Sequence, residues 1–412
     1  MQLVAVGAQD VYLTGNPQIT LFKGVYKRHT NFSMEPIPLT PSGSANWGKT
    51  AEITVTRNAD LVGEMWLRLE VAKTSTNGVK HAAGCMPFGH NMIDYVEVEI
   101  GGQKIDKHYG SWLSMDLALN ESTDKLSKTL QLVNGVAGDT VVKDKTDVVY
   151  VPLRFWFNKY KNLPLPLIAL QYHEVKISVK FQADDNQVWS SGYGASSISN
   201  CELITNYIYL DTEERKRFAQ LSHEYLIEQV QNNRNNSWTA TNGTTAKIDL
   251  NFNHPCKYIA WQNVNAANRY TAYYGNTSDT TNKNAFTTQL KLNGQDRLHK
   301  ALDQEYFHKC QKVQHFTNSN DLTMLGANNA SSVDSAELGT QDLNTNVFVY
   351  SFAMNPSEHQ PSGTCNFSRI DNAQLVLTRS NDGSAVSSVD VYAVNYNVLR
   401  IMSGMGGLAY SN

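Results

Sequence analysis

From His173 to Phe181, Val175, Ile177, Val179 and Phe181 alternate with Glu174, Lys176, Ser178 and Lys180. An apolar residue at every second position predicts a strand with one buried face. Pro164 and Pro166 stand just upstream, where a fixed φ and a missing N–H favour an extended approach over a helix. Farther along, PSGTCNFSRIDNAQLVLTR (361–379) repeats the arrangement, with Ala373, Leu375 and Leu377 alternating with Gln374 and Thr378.

The same period recurs through both halves of the chain. Before the first of these strands it marks Ile53 and Val55, then Leu67, Leu69 and Val71, then Val96, Val98 and Ile100, then Val148 to Phe157. With the opening stretch and Leu203 to Leu210, this predicts about eight strands, enough for one β-sandwich. Gly101-Gly102 predicts a tight turn, and the segments 111–119 and 125–133 predict short helices in a crossing loop. DTEERKRFAQLSHE (211–224) then interrupts the alternation with dense mixed charge and reads as a linker. Strand signals restart at Ile248, Leu250 and Phe252 and continue through Tyr258 to Trp261, Leu290 and Leu292, Phe348 to Phe352 and Tyr392 to Val398. Gly102-Gln103 and Gly294-Gln295 recur at an offset of 192 residues. Internal duplication accounts for this. The expected organisation is all-β: an arm over 1–25, one sandwich over 26–210, a linker over 211–224 and a second sandwich over 225–412. Loops rich in Asn, Ser, Thr and Gly at 184–200, 231–246, 263–288 and 317–346 put the more elaborate surface on the second half.

Composition narrows the function. At 412 residues the chain exceeds a usual single core. Its net charge of -3, with no long run of Lys or Arg, argues against direct nucleic-acid binding. Cys85, Cys201, Cys256, Cys310 and Cys365 are dispersed and contain no C-x-x-C pair, so a disulfide framework and a zinc ribbon are both disfavoured and a reducing compartment fits. No apolar run reaches membrane-spanning length, and the first residues lack a basic start, so a soluble, non-secreted protein is expected.

Several motifs mimic chemistry. GSANWGKT (43–50) satisfies the phosphate-loop pattern, and YIYLD (207–211) could supply an acidic companion. Yet three prolines precede Gly43 and the alternating AEITVTRN follows Thr50, leaving no strand-to-helix turn to aim N–H groups at phosphates. His173-Glu174 opens a zinc-protease pattern that Ile177 breaks. Gly404 to Ala409 resembles a dinucleotide fingerprint, but too few residues follow for its helix. The histidines show no ligand spacing. No catalytic residue, cofactor or metal ligand is therefore expected. Asn-x-Ser/Thr triplets at Asn235, Asn242, Asn276 and Asn329 in the second-half loops are glycosylation candidates. Phe22, Lys23, Tyr26, Lys27, Arg28 and His29 form a basic aromatic cluster. It reads either as a strand edge with solvated charges or as a contact to a partner or lipid head groups, through Lys23, Lys27 and Arg28. Trp238, Tyr270, Tyr273 and Tyr274, in or beside long loops, keep open a carbohydrate-binding alternative.

Longer blocks carry more information. GAQDVYLTGNPQITLFK (7–23), YKRHTNF (26–32), IGGQKIDKHYGSW (100–112), LPLPLIALQYHEVKI (163–177), YLDTEERKRFAQLSHEYLIEQVQ (209–231), LNFNHPCKYIAW (250–261), PSGTCNFSRIDNAQL (361–375) and NYNVLRIMSGMGGLAYSN (395–412) resemble the major capsid proteins of large nucleocytoplasmic DNA viruses, the algal-virus type above all. The resemblance implies two consecutive eight-stranded antiparallel jelly rolls and a homotrimer shaped as a pseudohexagonal capsomer. It also implies neighbouring capsomers, minor capsid proteins and an internal membrane as partners, and a virion protein assembled in host cytoplasm. No small-molecule substrate or enzymatic activity is implied. The arm is then either disordered until assembly or a contact to the inner layer of the shell.

Overall fold

The computed structural model describes residues 7–73, 79–80, 87–133, 140–141, 147–183, 196–238, 245–264, 286–298, 300–303, 306–316, 347–379 and 388–410. Eight principal strands build the first unit: β1 (Phe32–Leu39), β2 (Thr50–Thr54), β3 (Leu61–Lys73), β4 (Ile93–Ile100), β5 (Gln103–Tyr109), β6 (Asp147–Pro152), β7 (Val175–Phe181) and β8 (Ser196–Leu210). They pair antiparallel in two sheets, in the orders β1-β8-β3-β6 and β2-β7-β4-β5. Eight more follow: β9 (His223–Ser237), β10 (Thr245–Asp249), β11 (Pro255–Val264), β12 (Phe286–Leu292), β13 (Gln295–Asp296), β14 (Val347–Ser351), β15 (Ala373–Arg379) and β16 (Ser388–Met402). Their orders, β9-β16-β11-β14 and β10-β15-β12-β13, are the first pair with eight added to every strand. The chain is thus two consecutive jelly rolls with the same topology.

Each core lies where the alternation puts it. Met65, Leu67, Leu69 and Val71 of β3 face Val96, Val98 and Ile100 of β4 and Ile177, Val179 and Phe181 of β7 in one buried cluster. In the second roll, Ile259, Trp261, Leu290, Leu375, Leu377, Val391 and Ala393 do the same. The strands first recognised from their period, β7 and β15, occupy equivalent places in the two rolls. The repeated glycines do too. Gly101 and Gly102 (φ 58° and 81°) join β4 to β5, and Asn293 and Gly294 (φ 52° and 75°) join β12 to β13. Left-handed backbone at both central positions is what a two-residue hairpin demands, and Gly and Asn adopt it with least strain. Pro36 and Pro38 fall in β1, at the edge of its sheet, where a missing N–H breaks no ladder.

Some boundaries move. The strand expected to reach Phe157 ends at Pro152, and Trp156–Lys159 turns into a short helix whose aromatic residues seal the core. The loop expected at 231–246 is strand as far as Ser237, its polar residues using backbone bonds to β16 while Asn236 donates to the Val389 carbonyl at 3.1 Å. The charged stretch after β8 contains a helix, Thr212–Gln220, capped by the Asp211 carboxylate, which accepts from the Thr212 N–H at 2.8 Å. The two helices expected in the crossing loop are present as Gly110–Asn120 and Thr123–Leu132.

Because Ile177 is fully buried at the centre of its sheet, Ile177→Ala is expected to cost about 2–5 kcal/mol. Lys176→Ala on the opposite face should cost less than about 0.5 kcal/mol. Denaturant midpoints of the two variants check this.

Candidate assembly surfaces

Outside the two cores, the described residues build a seam between the two rolls. The helix Gly110–Asn120 is buried on all sides from Gly110 to Leu119, as a helix must be when apolar surface meets it on both flanks. Its first residue has to be glycine, since a Cβ there would stand 2.2 Å from the His90 carbonyl oxygen. The helix lays Trp112, Met115 and Leu119 against Tyr258, Ala260, Val349, Tyr392 and Val394 on the outer face of the second roll's sheet. At the other end of the seam, Ile227, Leu399 and Ile401 of the second roll join the first roll's core.

The glycine run near the C-terminus serves this contact. Met405–Leu408 is a strand, β17, folded back on β16. A side chain at Gly406 would come within 2.6 Å of Leu170, and one at Gly404 (φ 81°) within 2.6 Å of Tyr172. The bare backbone instead presses on the first roll. Tyr172 N–H donates to the Gly404 carbonyl at 3.0 Å, and His173 Nδ1 lies 2.9 Å from the Gly406 carbonyl. The resemblance to a dinucleotide fingerprint comes from this close approach.

Charge crosses the seam as well. Glu228 of β9 accepts from Lys257 Nζ at 2.7 Å and from Tyr160 O–H at 2.9 Å, with Lys159 Nζ at 3.5 Å. Arg154 pairs with Asp116 at 2.5 Å and Glu121 at 2.9 Å. Three carboxylates therefore face three cations, with Lys159 between Asp116 and Glu228 and His359 3.5 Å from Glu228. Burial opposes ionisation of Glu228, yet Lys159, the His359 hydrogen bond and Lys257 overcome it and hold the carboxyl well below its usual range. Burial likewise opposes ionisation of Asp116, but Arg154 and Lys159 bring it down to about 2. Lys159 is held above its ordinary value because Glu228 and Asp116 outweigh burial. For Lys257 burial outweighs Glu228 and lowers it to about 8. A cavity of about 20 Å³ lined by Asp116, Lys159, Glu228 and Tyr258 completes the cluster. None of these charges stood out in the sequence as a site. The available signal was a single charge inside an apolar strand, Glu228 in YLIEQV and Lys257 in CKYIAW, since a buried charge requires a partner.

The residues singled out in the sequence are placed otherwise. Lys49 Nζ donates to Ser44 Oγ at 3.1 Å, and β2 begins at Thr50, so no helix follows the phosphate-loop pattern. Trp238, a candidate exposed aromatic, is fully buried in the second core. Tyr270, Tyr273 and Tyr274 lie outside the described residues, as do Asn242, Asn276 and Asn329. Asn235 lies within β9. Lys23 in the arm, and Lys27 and Arg28 just after it, are exposed and lie outside any strand, with Phe22 and Tyr26 nearly bare at 100% and 94%. The arm's helix Ala8–Thr14 buries no residue. Among the described residues no helix is long and apolar enough to cross a membrane. Cys201, Cys256, Cys310 and Cys365 are free thiols.

Tandem jelly rolls fused by a buried seam, with an arm exposed ahead of them, define a double jelly-roll protein. The chain matches the models for "Major capsid protein N-terminus" over residues 20–211 and "Large eukaryotic DNA virus major capsid protein" over 214–325 and 330–407. It is 46% identical to the major capsid protein of Pyramimonas orientalis virus, covering 100% of this chain and 99% of that one. It is 40% identical to that of Paramecium bursaria Chlorella virus 1, with the same coverage. The solved PBCV-1 VP54 structure is similar, with a TM-score of 0.77 and 34% identity over 95% of this chain and 100% of that one. The chain belongs to the major capsid protein family of large eukaryotic DNA viruses, and its role is structural.

Glu228→Ala is expected to destabilise by about 3–5 kcal/mol, because it leaves Lys257 buried without a carboxylate and Lys159 with Asp116 alone, at 3.9 Å. Calorimetry of the variant checks it. A second expectation concerns acid. Burial, helped by Arg154 and opposed by Asp116, lowers the His90 imidazole to about 3. The unfolded chain therefore takes up the proton first as pH falls below about 6.5, and stability falls with it. From pH 7 to pH 5 this group should remove about 2 kcal/mol. His90→Gln should flatten that part of the pH dependence in denaturant titrations.

Proposed function

We propose that the chain homotrimerises into pseudohexagonal capsomers that pack against neighbouring capsomers and tile the icosahedral shell of a large double-stranded DNA virus. The observation that carries this reading is the repetition of one strand order in two rolls locked by a buried seam. Three such chains supply six like units, so a threefold assembly offers nearly sixfold edges for packing in flat facets. Shape and self-recognition perform the function, and no bond is made or broken. The working parts are the arm over 1–25, the rolls over 26–210 and 225–412, and the linker over 211–224. Lys23 of the arm, with Lys27 and Arg28 just after it, serves at the inner face, against minor capsid proteins and the internal membrane beneath the shell. Assembly takes place in host cytoplasm. Sugars on Asn235, Asn242, Asn276 or Asn329 would decorate the second roll.

Native mass spectrometry tests the assembly step. Three chains of 46.0 kDa give a species of 138 kDa, with a hexagonal outline in negative stain, and any mass beyond that counts attached sugars. A protein that stays monomeric at micromolar concentration under assembly-like salt overturns the reading. For the inner face, replacing Lys23, Lys27 and Arg28 together by Ala should leave the trimer mass unchanged and abolish sedimentation with anionic vesicles. Undiminished sedimentation would remove these residues from that role.

A further inference from the structure

The duplication supplies an internal comparison at one pair of positions. In the first roll the two-residue strand Leu165–Pro166 lies against the start of β3 and sets Leu165 opposite Val62. These side chains are 1% and 0% exposed and fill their place as an apolar pair. The equivalent two-residue strand of the second roll, Cys365–Asn366, lies against the start of β11. There Cys365 stands opposite Cys256. Two thiols thus occupy the register that leucine and valine occupy in the twin.

Directly opposed residues of an antiparallel pair point to one face of the sheet, with Cα atoms about 4.5–5.5 Å apart. A disulfide spans about 4.4–6.8 Å between Cα atoms, so this pair can close without moving the backbone. The flanking backbone is already fixed. Phe367 N–H donates to the His254 carbonyl at 3.1 Å, His254 N–H to Ser368 Oγ at 2.8 Å, and Ser368 N–H to the Asn366 side chain at 3.1 Å. The two thiols differ in access. Cys256 is fully buried in the second core, whereas Cys365 packs against that core and is only half-buried. Burial pushes both thiols up, and at Cys365 the Arg297 guanidinium works against it. The more exposed thiol therefore makes the first attack. Cys201 has no such neighbour, since the residue opposite it is Leu69.

We propose that Cys256 and Cys365 form a disulfide once the protein leaves a reducing compartment, with oxidised glutathione as a sufficient oxidant. The Cys365 thiolate attacks one glutathione sulfur and expels the other glutathione as a thiolate. Cys256 then gives up its proton, attacks the Cys365 sulfur and expels the second glutathione. Two protein thiols lose two electrons and two protons, and one glutathione disulfide becomes two glutathione thiols. The new bond ties the approach to β15 onto β11 beside Lys257, which donates to Glu228 at the seam. The second roll is thereby reduced while the chain folds and cross-linked after release. Bond formation needs one chain only, so the proposal stands apart from the trimer reading.

The test incubates the full chain with oxidised glutathione, unfolds it, blocks the remaining thiols with N-ethylmaleimide, digests without reductant and maps peptides by mass spectrometry. The expected result is the Cys256 peptide joined to the Cys365 peptide, in a chain that still migrates as a monomer on a denaturing gel without reductant. Oxidation should raise the unfolding temperature by about 5–15 °C, and dithiothreitol should reverse the shift. Cys256→Val, which keeps the buried volume, and Cys365→Ser should each abolish it. The peptide map of the parent chain decides the matter even where a variant fails to fold. Cys256 that is still blocked by N-ethylmaleimide at saturating oxidised glutathione overturns the proposal, whether Cys365 is then free, capped by glutathione or joined to another thiol. A Cys256–Cys365 link found only in chains that migrate as multimers overturns it too.

Discussion

A carboxylate in a strand that faces its neighbouring roll is the constraint on which the rest of the molecule depends. Glu228 is ionised in a buried position because Lys159 of the first roll and His359 and Lys257 of the second all reach it. Two apolar sheets can slide across one another at small cost, whereas charges removed from water have few acceptable geometries. The seam therefore holds one relative placement of the rolls. Trp112 and its neighbours supply the apolar contact and the charges restrict its register. This division matters for a subunit whose use lies in its outline. A small rotation between the rolls would be multiplied around any closed ring built from them.

Much of the fold was legible because the sheets are half-buried and antiparallel. Such sheets write their inner face into the sequence at every second residue, as Val175 to Phe181 and Ala373 to Leu377 show. The duplication could be read from Gly102-Gln103 and Gly294-Gln295, since only a few residues tolerate the backbone of a hairpin turn. The strand through Gln231–Ser237 was missed because its pairing uses backbone groups while its side chains are Asn and Gln, residues common in loops. The helix Gly110–Asn120 was legible as a helix, but its burial on every side came from a second roll hundreds of residues downstream.

The assembly surfaces were harder to read. Arg154, Lys159 and Asp116 become a cluster with Glu228 and Lys257 only after the two rolls pack, and no spacing in the chain announces that meeting. The pairing of Cys256 with Cys365 escaped notice for a related reason, because only the register at the start of β11 sets them side by side. The phosphate-loop and dinucleotide patterns failed in an instructive way, because glycine serves close backbone approach wherever that is needed.

The hairpin Met402–Leu408 has a further consequence for how the chain is made. His173 and Gly406, which touch, are separated by 233 residues, so a ribosome adding about 5–20 residues per second reaches the second roughly 10–50 s after the first. Through that interval Leu170, Tyr172 and His173 have no hairpin to rest under them, whereas Lys159 waits a shorter time, because Glu228 follows His173 by only 55 residues. The first roll can collapse around its own core while its side toward the seam stays wet. Completion of the last strands is therefore the step that closes this flank: a chain cut short would carry a first roll with an unfinished side.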